Sequence, residues 1–118
     1  MAKVLVIDDA SFVRMRIKNI LGPIGHTILE AVNGANGIQM FQSENPDMVF
    51  MDVNMPEMDG LTALKEIIKI NRNAKVVMLT NESQQKTIMD ALQNGAKNFL
   101  VKPFDEEKLI TLVNKLTS

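Results

Sequence analysis

A doubly wound α/β domain, a five-stranded parallel sheet with helices on both faces, is the fold this sequence predicts. Three observations lead there. Short apolar runs recur without alternating with polar residues, as strands buried on both faces require. Stretches with apolar residues at helical spacing lie between them. At 118 residues, with no composition break, linker, repeat or low-complexity tract, the chain suits one ordinary domain and leaves no room for a second of comparable size.

Val4-Leu5-Val6-Ile7 is the first strand. Val13, Ile17, Ile20, Leu21 and Ile24 give a core-facing stripe to the first helix, which Gly22-Pro23 and Gly25 should end. Ile28-Leu29 marks the second strand, and Asn33-Gly34-Ala35-Asn36-Gly37 looks like a turn leading into a helix around Ile38 and Phe41. After the third strand, Met48-Val49-Phe50-Met51, Asp59 should cap a helix with Leu61, Leu64 and Ile68 inward. Val76-Val77-Met78-Leu79 is the fourth strand; Ser83 should cap the next helix, which buries Ile88, Ala91 and Leu92 and stops at a left-handed Gly95. Phe99-Leu100-Val101 is the fifth strand, followed by a cap at Asp105 and the i, i+3, i+4, i+7 stripe of Leu109, Leu112, Val113 and Leu116. Strands alternating with helices in this way imply right-handed crossovers and a parallel sheet.

Composition excludes several functions. Thirteen basic and fourteen acidic residues leave a formal charge of −1, so the basic footprint of a nucleic-acid binder is missing. The absence of cysteine removes disulfides, thiolate metal sites and a thiol nucleophile. The apolar run at the amino terminus is too short for a signal segment or a membrane span, which points to a cytoplasmic protein without a membrane partner.

In an open parallel sheet ligands bind beyond the carboxyl ends of the strands. There the sequence places Asp8-Asp9, Asp52, Thr80 and Lys102. Carboxylates packed together repel, and a single lysine leaves surplus negative charge that a hard divalent ion such as Mg²⁺ would relieve. A carboxylate can also attack phosphorus if cations neutralise the transferring group. Asp52 is the candidate nucleophile because it stands alone on a central strand, whereas Asp8 and Asp9 are adjacent and better placed to hold metal. Thr80 and Lys102 would contact phosphoryl oxygens. Singly, each residue has a plainer role: Asp9 as a helix cap, Asp52 as a turn former, Thr80 as a strand end, Lys102-Pro103 as a strand stop. Only their joint placement on neighbouring strand ends argues for a site. His26 is expected in a solvated loop without a catalytic role, and the methionines mostly in the core, with Met55 and Met58 exposed in a loop.

Val6-Ile7-Asp8-Asp9, Met51-Asp52-Val53-Asn54-Met55-Pro56-Glu57-Met58-Asp59-Gly60, Leu79-Thr80 and Val101-Lys102-Pro103-Phe104 together carry a family likeness. Over essentially its full length the chain resembles the receiver domain of bacterial two-component response regulators, most closely the stand-alone chemotaxis type. The resemblance implies a flavodoxin-like (βα)5 fold with strand order 2-1-3-4-5 and one receiver domain over residues 1–118, without an output domain. It makes Asp52 the phosphoacceptor, supplied by a phosphohistidine on a sensor histidine kinase. It makes Asp9, Asp52 and the Asn54 backbone carbonyl Mg²⁺ ligands, with Asp8 acting largely through water. Thr80 and the Asn81 backbone N–H would bind the phosphoryl group with Lys102, Phe99 would change rotamer, and Pro103 would be structural. The output would be a changed face on the fourth helix, fifth strand and fifth helix, for a protein target such as a flagellar motor switch protein.

Two residues depart from the commonest family pattern. Asn81 is larger than usual and narrows access, though its N–H should stay available; Phe99 lacks the hydroxyl of a tyrosine. Asn54 and Glu82 occupy the positions that tune dephosphorylation and imply a short-lived signal. The resemblance implies no turnover of a separate substrate. Rival functions are a phosphorylation-independent interaction scaffold, which would need none of this chemistry, and a Mg²⁺-dependent phosphatase, which would need a cap the chain has no room for. A flavin or dinucleotide site is disfavoured by the glycine-free acidic loop Asp8-Asp9-Ala10-Ser11.

Overall fold

The apolar runs pair side by side in the computed structural model, which describes residues 1–81 and 83–118. The elements are β1 (Lys3–Ile7), α1 (Ser11–Leu21), β2 (Thr27–Ala31), α2 (Gly34–Glu44), β3 (Met48–Asp52), α3 (Gly60–Ile70), β4 (Val76–Thr80), α4 (Gln85–Gln93), β5 (Asn98–Val101) and α5 (Glu106–Thr117). All strand pairs are parallel, in the order β2-β1-β3-β4-β5. Ile7 lies opposite Ala31 and Met51, Met51 opposite Met78, and Thr80 opposite Val101, so the carboxyl ends form one rim.

Alternation of side chains across the strands builds two cores. Leu5, Ile7, Val49, Met51, Val76 and Met78 pack on one face with Phe41, Leu64, Ile67 and Ile88 from α2, α3 and α4. Val4, Val6, Met48, Phe50, Val77 and Leu79 face the other way, toward Val13, Ile17 and Leu21 of α1 and Leu109 and Val113 of α5. Each fully buried side chain of this size contributes about 1.5–3 kcal/mol. The two cores hold β1, β3 and β4 rigidly between them. Among the described residues no helix is long and apolar enough to cross a membrane.

Two of the expected caps form: Asp59 accepts from the Thr62 N–H at 2.8 Å and Asp105 from the Glu107 N–H at 2.9 Å. Gly95 takes its positive φ of 109°. Ser83 does not cap α4; Gln84 holds the cap position, Ser83 lies exposed in the preceding turn, and among the described residues no side chain caps the helix. Ile24 is exposed because α1 has already ended, with the Gly22 N–H donating to the Lys18 carbonyl at 2.8 Å. In α3, Ala63 and Ile67 join Leu64 in the deepest positions, while Leu61 and Ile68 are only half-buried.

Residues 34–37 are helix rather than turn. Gly37 lies against Ile7, where a Cβ would overlap that side chain, so glycine here permits α2 to approach the sheet closely. Met55 is buried rather than exposed and Met58 is half-buried, because the loop after β3 folds back, with the Gly60 N–H donating to the Val53 carbonyl at 2.8 Å. Met1, Met15 and Met89, by contrast, are exposed. His26 is half-buried, not fully solvated, and its Nδ1 accepts from the Ala2 N–H at 3.1 Å.

Candidate functional site

Parallel pairing in register brings the ends of β1 and β3 together, and with them Asp8, just after β1, and Asp52, the last residue of β3. Asp8 is wholly buried and Asp52 nearly so, whereas Asp9 is exposed. One carboxylate oxygen from each of the three lies within 4.8 Å of the others. The Lys102 side chain reaches from the end of β5, past β4, and donates from Nζ to Asp8 Oδ2 and Asp52 Oδ1, both at 2.9 Å. Its backbone is anchored by an N–H donated to the Thr80 carbonyl at 2.7 Å, and the Lys102–Pro103 peptide bond is cis.

Asp8 is locked in place. Its Oδ1 accepts from the Ala10 N–H at 2.9 Å, so both of its oxygens are engaged, and Asp9 does not serve as the cap of α1. Arg14 Nη1 donates to the Asp8 carbonyl at 2.6 Å, while its Nε pairs with Glu30 at 3.0 Å. No local sequence pattern marks Arg14, since only the packing of α1 beside β2 brings Glu30 within its reach. Below Asp52, Gly60 packs so closely on the Asp52 carbonyl that a Cβ could not fit, which ties the start of α3 to the end of β3.

The electrostatics follow from burial. Desolvation raises the Asp52 pKa from 3.8 to about 6, opposed by the Lys102 hydrogen bond and reinforced by the negative charge of Asp8. The backbone of Asn54, in the exposed loop beyond, exerts a weaker downward pull through a hydrogen bond. Burial lowers the Lys102 pKa, but its hydrogen bonds to Asp8 and Asp52 outweigh that and the net shift is upward. Lys102 therefore stays charged while Asp52 resists ionisation. Three carboxylates against one bridging ammonium form a hard-oxygen donor set with surplus negative charge, a fit for a divalent ion such as Mg²⁺.

Thr80 and Asn81 stand at the end of β4, but their donors are committed elsewhere. The nearly buried Thr80 hydroxyl lies 3.0 Å from both Gln84 Oε1 and the Asn81 carbonyl, and the Asn81 N–H donates to Gln84 Oε1 at 3.0 Å. This N–H, expected to be available, is engaged in this structure, because the Gln84 side chain folds back onto it. Phe99 is 39% exposed and lines a groove with Ile88, Met89, Leu92 and Val101 between α4 and β5. Glu82 lies outside the described residues.

A flavodoxin-like sheet carrying an acidic pocket and a bridging lysine at its carboxyl rim defines a class of phosphorelay receivers. Residues 4–114 match the response regulator receiver domain family, and the chain belongs to it. It is 46% identical over 114 residues to the chemotaxis protein CheY of Bacillus subtilis (strain 168), covering 96% of this chain and 95% of that protein. It is 40% identical over 116 residues to the CheY of Thermotoga maritima, covering 98% and 97%. Among solved structures, Vibrio cholerae chemotaxis protein CheY4 superposes with a TM-score of 0.91 at 30% identity, covering 98% of each chain. The chain is accordingly a response regulator receiver of two-component signalling.

Proposed function

We propose that Asp52 accepts a phosphoryl group from the phosphohistidine of a sensor histidine kinase and that the resulting aspartyl-phosphate alters the face formed by α4, β5 and α5. The observation that carries this proposal is Asp52 itself, buried at the end of β3, bridged through Lys102 to Asp8, with Asp9 beside it. An oxygen of Asp52 forms the new bond to phosphorus as the histidine nitrogen leaves. Lys102 already points at Asp52 and meets the charge on one phosphoryl oxygen, while the Thr80 hydroxyl and the Asn81 N–H are donors for the others. Asp9, Asp52 and the Asn54 backbone carbonyl would hold Mg²⁺, which when bound supplies positive charge to the acceptor and the phosphoryl oxygens. Asp8, with both oxygens engaged, suits contact through water.

The domain turns over no separate substrate; it takes up one group and loses it by hydrolysis, at a rate that Asn54 and Glu82 tune toward a short lifetime. The naming of its relatives as chemotaxis proteins supports a role in motility; on this reading the protein acts in the cytoplasm and its target is a flagellar motor switch protein. The exposed Phe99 and Met89 suit such docking. A phosphorylation-independent scaffold gains no support, since it has no use for a buried acidic pocket spanned by a lysine. Incubation with acetyl phosphate and Mg²⁺ should add the mass of one phosphoryl group, and Asp52→Ala should abolish the gain. An unchanged gain in the variant would refute Asp52 as acceptor.

A further inference from the structure

The donors assigned to the phosphoryl group share one competitor. Gln84 precedes α4 at its cap position, yet its side chain makes no capping bond. It turns back toward β4, where Oε1 accepts from the Asn81 N–H at 3.0 Å and lies 3.0 Å from the Thr80 hydroxyl oxygen. Thr80 has a single proton, whose other acceptor is the Asn81 carbonyl at 3.0 Å, so neither choice directs it at Asp52. Thr80 is only 2% exposed, which leaves its hydroxyl little access to water. One amide oxygen therefore gathers both donors.

We propose that Gln84 is a positioning residue for phosphoryl acceptance: it holds the Thr80 hydroxyl and the Asn81 N–H in the resting state and competes with the phosphoryl group for them. The inference rests on the assignment of those donors to the phosphoryl group. Release of Gln84 then accompanies acceptance, and because Gln84 immediately precedes α4, the exchange reports directly to the helix that borders the Phe99 groove. Exchange of one hydrogen bond for another is nearly balanced, so deleting the competitor should shift the equilibrium by about five-fold. A carboxylate in its place accepts more strongly and should shift it the other way.

The test uses the full chain in two measurements. Without metal or phosphate analogue, amide hydrogen exchange at Asn81 should accelerate by at least about five-fold in Gln84→Ala. With Mg²⁺ and beryllofluoride, an aspartyl-phosphate mimic, affinity should fall in the order Gln84→Ala, wild type, Gln84→Glu. Gln85→Glu adds the same charge one residue away and should stay near wild type. Unchanged exchange at Asn81, or a shift in the same direction for Gln84→Ala and Gln84→Glu, would overturn the proposal while leaving phosphoryl acceptance standing. Failure of the wild type to bind beryllofluoride at all would overturn the phosphoryl assignment itself, and the competition with it.

Discussion

The two halves of the rim, β1 with β3 and β4 with α4, are built on different principles. On the first, Asp8 and Asp52 are buried beside the two cores, bridged by Lys102 and backed by Gly60, so the proposed acceptor, Asp52, is held in place by the frame. On the second, the donors of Thr80 and Asn81 are engaged by Gln84, which immediately precedes the next helix. The first half stores electrostatic tension in a rigid frame, and the second stores exchangeable hydrogen bonds in a loop. The charge around Asp52 and the hydrogen bonds at Thr80 and Asn81 can therefore be altered separately.

The largest effect should come from breaking the bridge. Lys102→Ala leaves Asp8 and Asp52 facing each other without an ammonium, and stability in urea at pH 7 without metal should fall by about 3 kcal/mol, part of it returning on acidification. A loss below about 0.5 kcal/mol would mean that the bridge does not organise the pocket.

A smaller effect follows from Asp52 alone. Its folded pKa of about 6 exceeds the ordinary 3.8, so between those values the folded state holds a proton that the unfolded state has lost. The resulting stabilisation is complete below about pH 4 and is lost as pH rises through 6. Relative to Asp52→Asn, the metal-free wild type should thus weaken by on the order of 2 kcal/mol between pH 4 and pH 7. A pH-independent difference between the two in chemical denaturation would contradict the burial argument.

The smallest effect belongs to the other half of the rim. Gln84→Ala should cost less than about 1 kcal/mol, since the exposed Asn81 can turn its N–H to water, and should leave the Asp52 titration where it was. A displaced Asp52 pKa, followed by carboxyl carbon NMR, would show that the two halves are coupled at rest.

The same contrast explains what could be read from the sequence. Asp8, Asp9, Asp52 and Lys102 were legible because strand-end positions in a parallel sheet converge by topology, whatever the loops do. The fate of Asn81 was not, because it depends on where the Gln84 side chain turns, and Ser83 looked the better cap on residue type alone. Gly37 was misread for a related reason: glycine signals a turn in sequence, but only the packed Ile7 shows that it serves close approach. Arg14 of α1 and Glu30 of β2 meet because the helix packs beside that strand, which no local pattern encodes.

The most direct test of the central claim is a Mg²⁺ titration followed by amide NMR, repeated in Asp9→Asn and Asp52→Asn. In the wild type, Mg²⁺ alone should shift Asp9, Asp52 and Asn54 while Asn81 stays in place until beryllofluoride is added, and both variants should bind Mg²⁺ more weakly. Equal Mg²⁺ affinity in wild type and both variants would contradict the acidic pocket as the seat of function.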